Sequence, residues 1–178
     1  SRTVAVDFII PGLGRWIGAI AAGVGLFLVM TSVGLVDRRL EREVAAGRQR
    51  FDPLRAGRGE YYAFMLLSLA GMMLVCTARD LIWLFLALEL TSLPTYVMVA
   101  MSRNSRRGEE AAMKYLFLGA MSAAVFLYGF ALIYAATGTV EFQPMRDILR
   151  AQVADGGLGS LPIAGLILAL FGISYKLA

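Results

Sequence analysis

Three ionisable side chains, Glu89, Lys114 and Lys176, fall inside long apolar runs of this 178-residue chain. A charge at the centre of a bilayer costs at least about 2.5–3.5 kcal/mol on insertion scales, so such residues face a protein interior or a water-filled cavity and serve transport. Glu89 carries the strongest signal. It lies eight residues, or about 12 Å, inside its run, too deep for a short carboxylate to reach the interface. Ser92 and Tyr96 follow at i+3 and i+7 and complete a narrow polar stripe. Pro94 has no N–H and its ring disturbs the Leu90 carbonyl, which frees a backbone acceptor one residue from Glu89. Interrupted helices at membrane depth occur where they are buried in protein or line water. The alternatives are a protonated Glu89 that only hydrogen-bonds a neighbouring helix, and a Pro94 that only kinks its own.

The two lysines differ in depth. Lys114 stands a turn inside its run, within reach of snorkelling to the nearer surface. Lys176 lies about 22 Å from the outer end of its run. Its face also carries Gly165, Ala169 and Gly172, small residues that let another helix come close. A lysine side chain leans toward the N-terminus of its own helix. Lys176 therefore leans outward, toward the depth of Glu89, and is expected to lie nearer that carboxylate than Lys114 does.

These residues need membrane helices to hold them. The chain is 58% hydrophobic and 17% charged, with a mean hydropathy of +0.68. A soluble domain needs about 25% charged residues to cover its surface. Apolar blocks approach the roughly 20 residues needed to cross about 30 Å of hydrocarbon. The blocks predict an all-α integral membrane domain over residues 1–178, with spans over about 14–36, 61–78, 80–102, 109–138 and 161–178. Gly14, Gly18, Ala22 and Gly25 give the first span a face for close helix packing. Phe142, Met145, Ile148, Leu149 and Val153 share one helical face, with Pro144 in the first turn and Gly156-Gly157 as terminator. That pattern predicts a short interfacial helix over about 143–153.

Arginines orient the bundle. Arg38, Arg39, Arg42, Arg48, Arg50, Arg55 and Arg58, with Arg103, Arg106 and Arg107, flank an even number of spans and so share one side. The other side holds Arg2, Arg79, Arg146 and Arg150, with Arg15 at the interface. The bias places the arginine-rich loops, residues 37–60 and 103–107, in the cytoplasm. Topology accounts for this charge, so no nucleic-acid partner is inferred. There is no histidine, and Cys76 is the single cysteine, inside an apolar block. Haem, iron–sulfur or zinc ligation by this chain is therefore not expected. The chain opens at Ser1 without a methionine and stops inside an apolar block, so it is expected to be a piece of a longer protein.

The segments "GEYYAFMLLSLAGMMLV", "LALELTSLPTYVMVA", "EEAAMKYLFLGAMSAAVFLYGFALIYAATGTVEF" and "SYKLA" resemble, in order and spacing, the antiporter-like subunit N of proton-pumping NADH:quinone oxidoreductase, respiratory complex I. The resemblance runs from about residue 59 to residue 178; residues 1–36 resemble the third helix of the family less specifically. It implies a subunit of fourteen transmembrane helices in two inverted repeats, of which this chain would hold helices three to seven. It also implies that Glu89, Lys114 and Lys176 belong to a central hydrophilic axis for protons; from the stripe and the proline described above, Ser92, Pro94 and Tyr96 are expected to support it. The 37–58 loop is longer and more basic than is usual in the family, and Tyr175 stands where phenylalanine commonly precedes the lysine.

The resemblance further implies a bacterial inner-membrane, multi-pass location and neighbouring antiporter-like and other membrane-arm subunits as partners. NADH, FMN, iron–sulfur clusters and quinone would belong to other subunits. Two alternatives stand beside it: a subunit of a multi-subunit sodium/proton antiporter or membrane-bound hydrogenase, and a non-conducting membrane scaffold. The proton-translocating reading has a physical scale. A carboxylate and an ammonium about 4 Å apart, at an effective dielectric of about 20, attract by about 4 kcal/mol. Moving one proton against about 150 mV costs about 3.5 kcal/mol. Making and breaking one buried pair is thus commensurate with a pumping step.

Overall fold

The computed structural model describes residues 12–47, 58–101 and 106–177. Six helices account for nearly all of them: α1 (Leu13–Ala45), α2 (Arg58–Val75), α3 (Leu81–Met101), α4 (Arg106–Thr137), α5 (Phe142–Ala154) and α6 (Ser160–Leu177). The chain is an all-α membrane bundle. The stretches Leu13–Ser32, Leu81–Met101 and Glu109–Thr137 are long and apolar enough to cross a bilayer. Helices α2 and α6, at 18 residues each, reach about 27 Å and pack beside them. Large apolar side chains point outward, as Phe117 (75% exposed) and Phe171 (71%) do.

Helix α1 departs from the expected boundary. It continues nine residues past Val36, so the first part of the polar stretch expected as a loop from residue 37 is helical. Leu40, Glu41, Arg42, Glu43 and Ala45 are good helix formers, and a helix extends beyond the hydrocarbon wherever propensity carries it. At 33 residues, α1 is about 50 Å long, well over the hydrocarbon thickness of about 30 Å. Of the orienting arginines, Arg2, Arg48, Arg50, Arg55 and Arg103 lie outside the described residues.

The connection between α2 and α3 meets the one between α4 and α5. The Leu81 amide donates to the Val140 carbonyl at 2.9 Å and the Phe142 amide to the Arg79 carbonyl at 3.1 Å, joined by a bridge between Asp80 and Glu141. Asp80 starts α3, its carboxylate accepting from the Trp83 amide at 2.7 Å. Both connections therefore sit at one end of the bundle. Helix α4 stops at Gly138, whose φ of 68° lies in the left-handed region that glycine tolerates best.

The core lies between α3, α4 and α6 and is closed at that end by α5. Leu81, Phe126, Phe130, Ile133, Met145 and Ala169 form its buried centre. Helix α5 adds Met145, Phe142 and Leu149 to it. Val153, placed on the same face by periodicity, is 56% exposed, because α5 rests on the core only through its first turns. Gly156 and Gly157, with φ of 125° and 123°, let the chain leave α5 and enter α6.

Small residues set the helix spacing. A methyl built on Gly129 of α4 would stand 2.5 Å from the Ala169 amide nitrogen of α6, and one on Gly172 would stand 2.3 Å from Cβ of Phe126. The small face of α6 is thus pressed directly against the α4 backbone. On α1, Gly25 faces Leu69 of α2 and Gly14 approaches the Cys76 carbonyl, whereas Gly18 meets nothing within 4 Å. Among the described residues, only part of the small-residue stripe on α1 is packed against another helix.

Candidate functional site

The register of α4 between α3 and α6 builds the site. Phe85 of α3 packs on Phe126 of α4, ring centroids 5.3 Å apart, and Phe126 lies under Gly172 of α6. These three form one layer. Helices α3 and α6 run away from the α5 end and α4 runs toward it. One turn further from α5, the same positions are therefore Glu89 on α3, Ser122 on α4 and Lys176 on α6. A polar layer lies directly beneath an aromatic one.

In that layer the Lys176 ammonium donates to Oε1 of Glu89 and to Oγ of Ser92 at 3.2 Å. The side chains of Lys176 and Glu89 are only 10% and 16% exposed. Ser92 is oriented by donating to the Leu88 carbonyl at 2.7 Å, so its oxygen lone pairs stay available to the lysine. Ser122 donates to the Gly172 carbonyl at 2.6 Å, a buried bond that ties α4 to α6 one turn before Lys176. Tyr175 is 39% exposed.

Of the remaining residues singled out in the sequence, Tyr96 borders the pair through a side-chain hydrogen bond with Ser92; Pro94 and Lys114 do not contact it. Pro94 is buried inside an uninterrupted α3. Beside it, Ser68 of α2 donates to the Thr91 carbonyl at 2.9 Å. Gly71 of α2 permits this approach, because a methyl there would stand 2.5 Å from the Thr91 amide nitrogen. Tyr96 is 7% exposed, sits edge-on to Tyr115 with ring centroids 4.6 Å apart, and fits over Gly119 of α4. Lys114 is not brought to Glu89. It pairs with Glu110 at 2.6 Å, the two side chains 70% and 63% exposed.

Sequence reasoning passed over Ser122 and Phe126. Ser122 carried a weak signal, a lone hydroxyl in the apolar middle of its run. Phe126 carried none, since an aromatic among apolar residues has no distinguishing pattern.

The arrangement is a partly enclosed acid–base pair between two membrane helices, with a hydroxyl as a second acceptor. The family model described as NADH:quinone oxidoreductase/Mrp antiporter, TM matches residues 78–178, a segment that includes Glu89, Lys114 and Lys176. The chain belongs to this family. Within the NADH:quinone oxidoreductase/Mrp antiporter family, it is 41% identical over 128 residues to NADH-quinone oxidoreductase subunit N of Erythrobacter litoralis, a match covering 72% of this chain and 25% of the relative. It is 45% identical over 125 residues to subunit N of Mycobacterium tuberculosis, covering 68% of this chain and 23% of the relative. A chain in the structure of respiratory complex I from Thermus thermophilus with bound aureothin superposes with a TM-score of 0.56 at 37% identity, covering 73% of this chain and 26% of that one. The chain spans about a quarter of the length of the curated relatives it matches. Like the rest of this transmembrane family, it is a multi-pass membrane protein.

Proposed function

We propose that this chain is part of an antiporter-like subunit N in the membrane arm of a bacterial NADH:quinone oxidoreductase, where it helps carry protons across the inner membrane. The observation that carries the reading is the Glu89–Lys176 pair, enclosed within apolar helices that no purely structural need requires to be charged. Paired with Glu89, Lys176 holds its proton. Separation leaves the ammonium without its carboxylate in a layer where both side chains are largely buried; loss of that counter-charge outweighs the remaining contacts, and the proton leaves.

Lys114 is assigned to the same path as an exchange point beyond the pair, with Glu110 as its carboxylate partner. Its exposed face belongs against the parts of the full-length subunit that this chain does not include. Ser92 steadies the Lys176 ammonium, Pro94 shapes the α3 backbone beside Glu89, and Tyr96 packs the wall toward the arginine-rich side. NADH, FMN, iron–sulfur clusters and quinone are assigned to other subunits, whose redox chemistry would drive the pair apart and together. Neighbouring antiporter-like subunits and lipid would surround this one.

The test is Glu89→Gln in the assembled complex, which keeps the side-chain shape and removes the charge. Assembly is expected to persist while proton pumping and the coupled quinone-reductase rate fall together. Unchanged pumping by an assembled variant would favour a non-conducting scaffold and sink the proposal. The family also includes Mrp antiporters; a rate that follows sodium rather than proton concentration would move the assignment to that branch.

A further inference from the structure

A protonated lysine has three N–H donors and no acceptor. Among the described residues, two oxygens accept from Lys176, Oε1 of Glu89 and Oγ of Ser92. The third neighbour is an aromatic face: Nζ stands over the Phe126 ring, 5.7 Å from its centroid. A cation within about 6 Å of a ring centroid is attracted by the ring quadrupole, most strongly where water is excluded. Water has little access here: Phe126 has no exposed surface and the Lys176 side chain is 10% exposed.

The ring is held in place. Its Cβ lies against Gly172 with no room for a methyl between, and the ring packs against Phe85 at 5.3 Å and Phe130 at 4.7 Å between centroids. The attraction also depends on protonation, since a neutral amine gains little from the quadrupole. The lysine stem is long and flexible, so an ammonium released by Glu89 has a competing route, swinging out of the layer toward water.

We propose that Phe126 is a positioning residue for the proposed proton path: its ring face retains the Lys176 ammonium at the site while Glu89 is disengaged. Phe126 neither takes nor gives a proton. It keeps the charged lysine from leaving the layer, and its hold weakens once the proton has gone. This rests on the reading of Glu89 and Lys176 as proton carriers.

The test replaces Phe126 in the full-length subunit, assembled in its native membrane, with mono-, di- and trifluorophenylalanine and then with cyclohexylalanine. Fluorination drains the ring quadrupole while nearly keeping its shape, and cyclohexylalanine abolishes it. Proton translocation is expected to fall stepwise along the series, by about tenfold at its end, with assembly unchanged through the fluorinated members. Should cyclohexylalanine fail to assemble, the fluorinated members alone decide. A flat series in assembled protein overturns the proposal. Lys176→Met, run in parallel, separates the two levels: if it abolishes translocation while the Phe126 series is flat, only the role of Phe126 fails. If Lys176→Met itself leaves translocation intact, the proton-path reading fails and this proposal with it.

Discussion

Ser122 on α4 donates a 2.6 Å hydrogen bond to the Gly172 carbonyl on α6, one helical turn before Lys176. It is the polar counterpart of the Phe126–Gly172 contact in the layer above, and together they lock the rotation of α6 on α4. The rotation of α6 aims Lys176 at Glu89. Ser122→Ala is expected to destabilise the α4–α6 pairing by about 1 kcal/mol, within the range for hydrogen bonds between membrane helices. Unfolding in mixed detergent would measure this, and a difference below about 0.3 kcal/mol would show that packing alone sets the rotation.

Two glycine substitutions should behave oppositely. A methyl at Gly172 would meet Cβ of Phe126 at 2.3 Å and its amide nitrogen at 2.8 Å. The backbone cannot yield without shifting α6, so Gly172→Ala should cost about 1–3 kcal/mol and weaken the Glu89–Lys176 contact. A methyl at Gly25 would meet Cδ2 of Leu69 at 2.5 Å, the mobile end of a side chain that can change rotamer. Gly25→Ala should stay within about 0.5 kcal/mol. Equal losses in a thermal unfolding assay would contradict this contrast.

A double-mutant cycle distinguishes the two lysines. Glu89→Gln with Lys176→Met should show a coupling energy of at least about 1 kcal/mol, because the partners touch. Glu89→Gln with Lys114→Met should be additive within about 0.5 kcal/mol. The exposed Glu110–Lys114 pair should itself contribute no more than about 0.5 kcal/mol. Coupling of Glu89 to Lys114 but not to Lys176 would contradict the observed pairing.

Topology can be read with thiol reagents in a Cys76→Ser background. The α2–α3 and α4–α5 connections share one end of the bundle, and arginine bias puts that end outside. A membrane-impermeant maleimide added to intact cells should label Ala154→Cys on α5 and leave Ala46→Cys beyond α1 unmodified. The reverse pattern would invert the orientation.

Much of this bundle is legible in residue types alone. Long apolar runs specify membrane helices, because a bilayer accepts nothing else of that length without its own hydrogen bonds. The polar stripe from Glu89 through Ser92 to Tyr96 marks the face of α3 that needs protein around it. Phe142, Pro144 and Gly156-Gly157 mark the short helix α5 and both its ends. Less legible was the end of α1, since apolarity stops at Val36 while helix propensity runs on to Ala45.

Glu89 and Lys176 show where sequence stops and tertiary structure begins. That each is charged and deep in an apolar run belongs to the sequence, as does the small face of Gly165, Ala169 and Gly172 that allows α6 to come close. Counted along their own runs, the two residues differ in depth by about 10 Å, which measures each helix from its own start and assumes that all start in one plane. Only packing reveals that they do not. Phe85, Phe126 and Gly172 interlock as one layer across three helices, and interlocking side chains fix the sliding of one helix along another far more tightly than hydropathy does. That layer brings Glu89 level with Lys176, leaves Lys114 with Glu110, and makes Phe126, an ordinary apolar residue in the sequence, the aromatic neighbour of a buried ammonium.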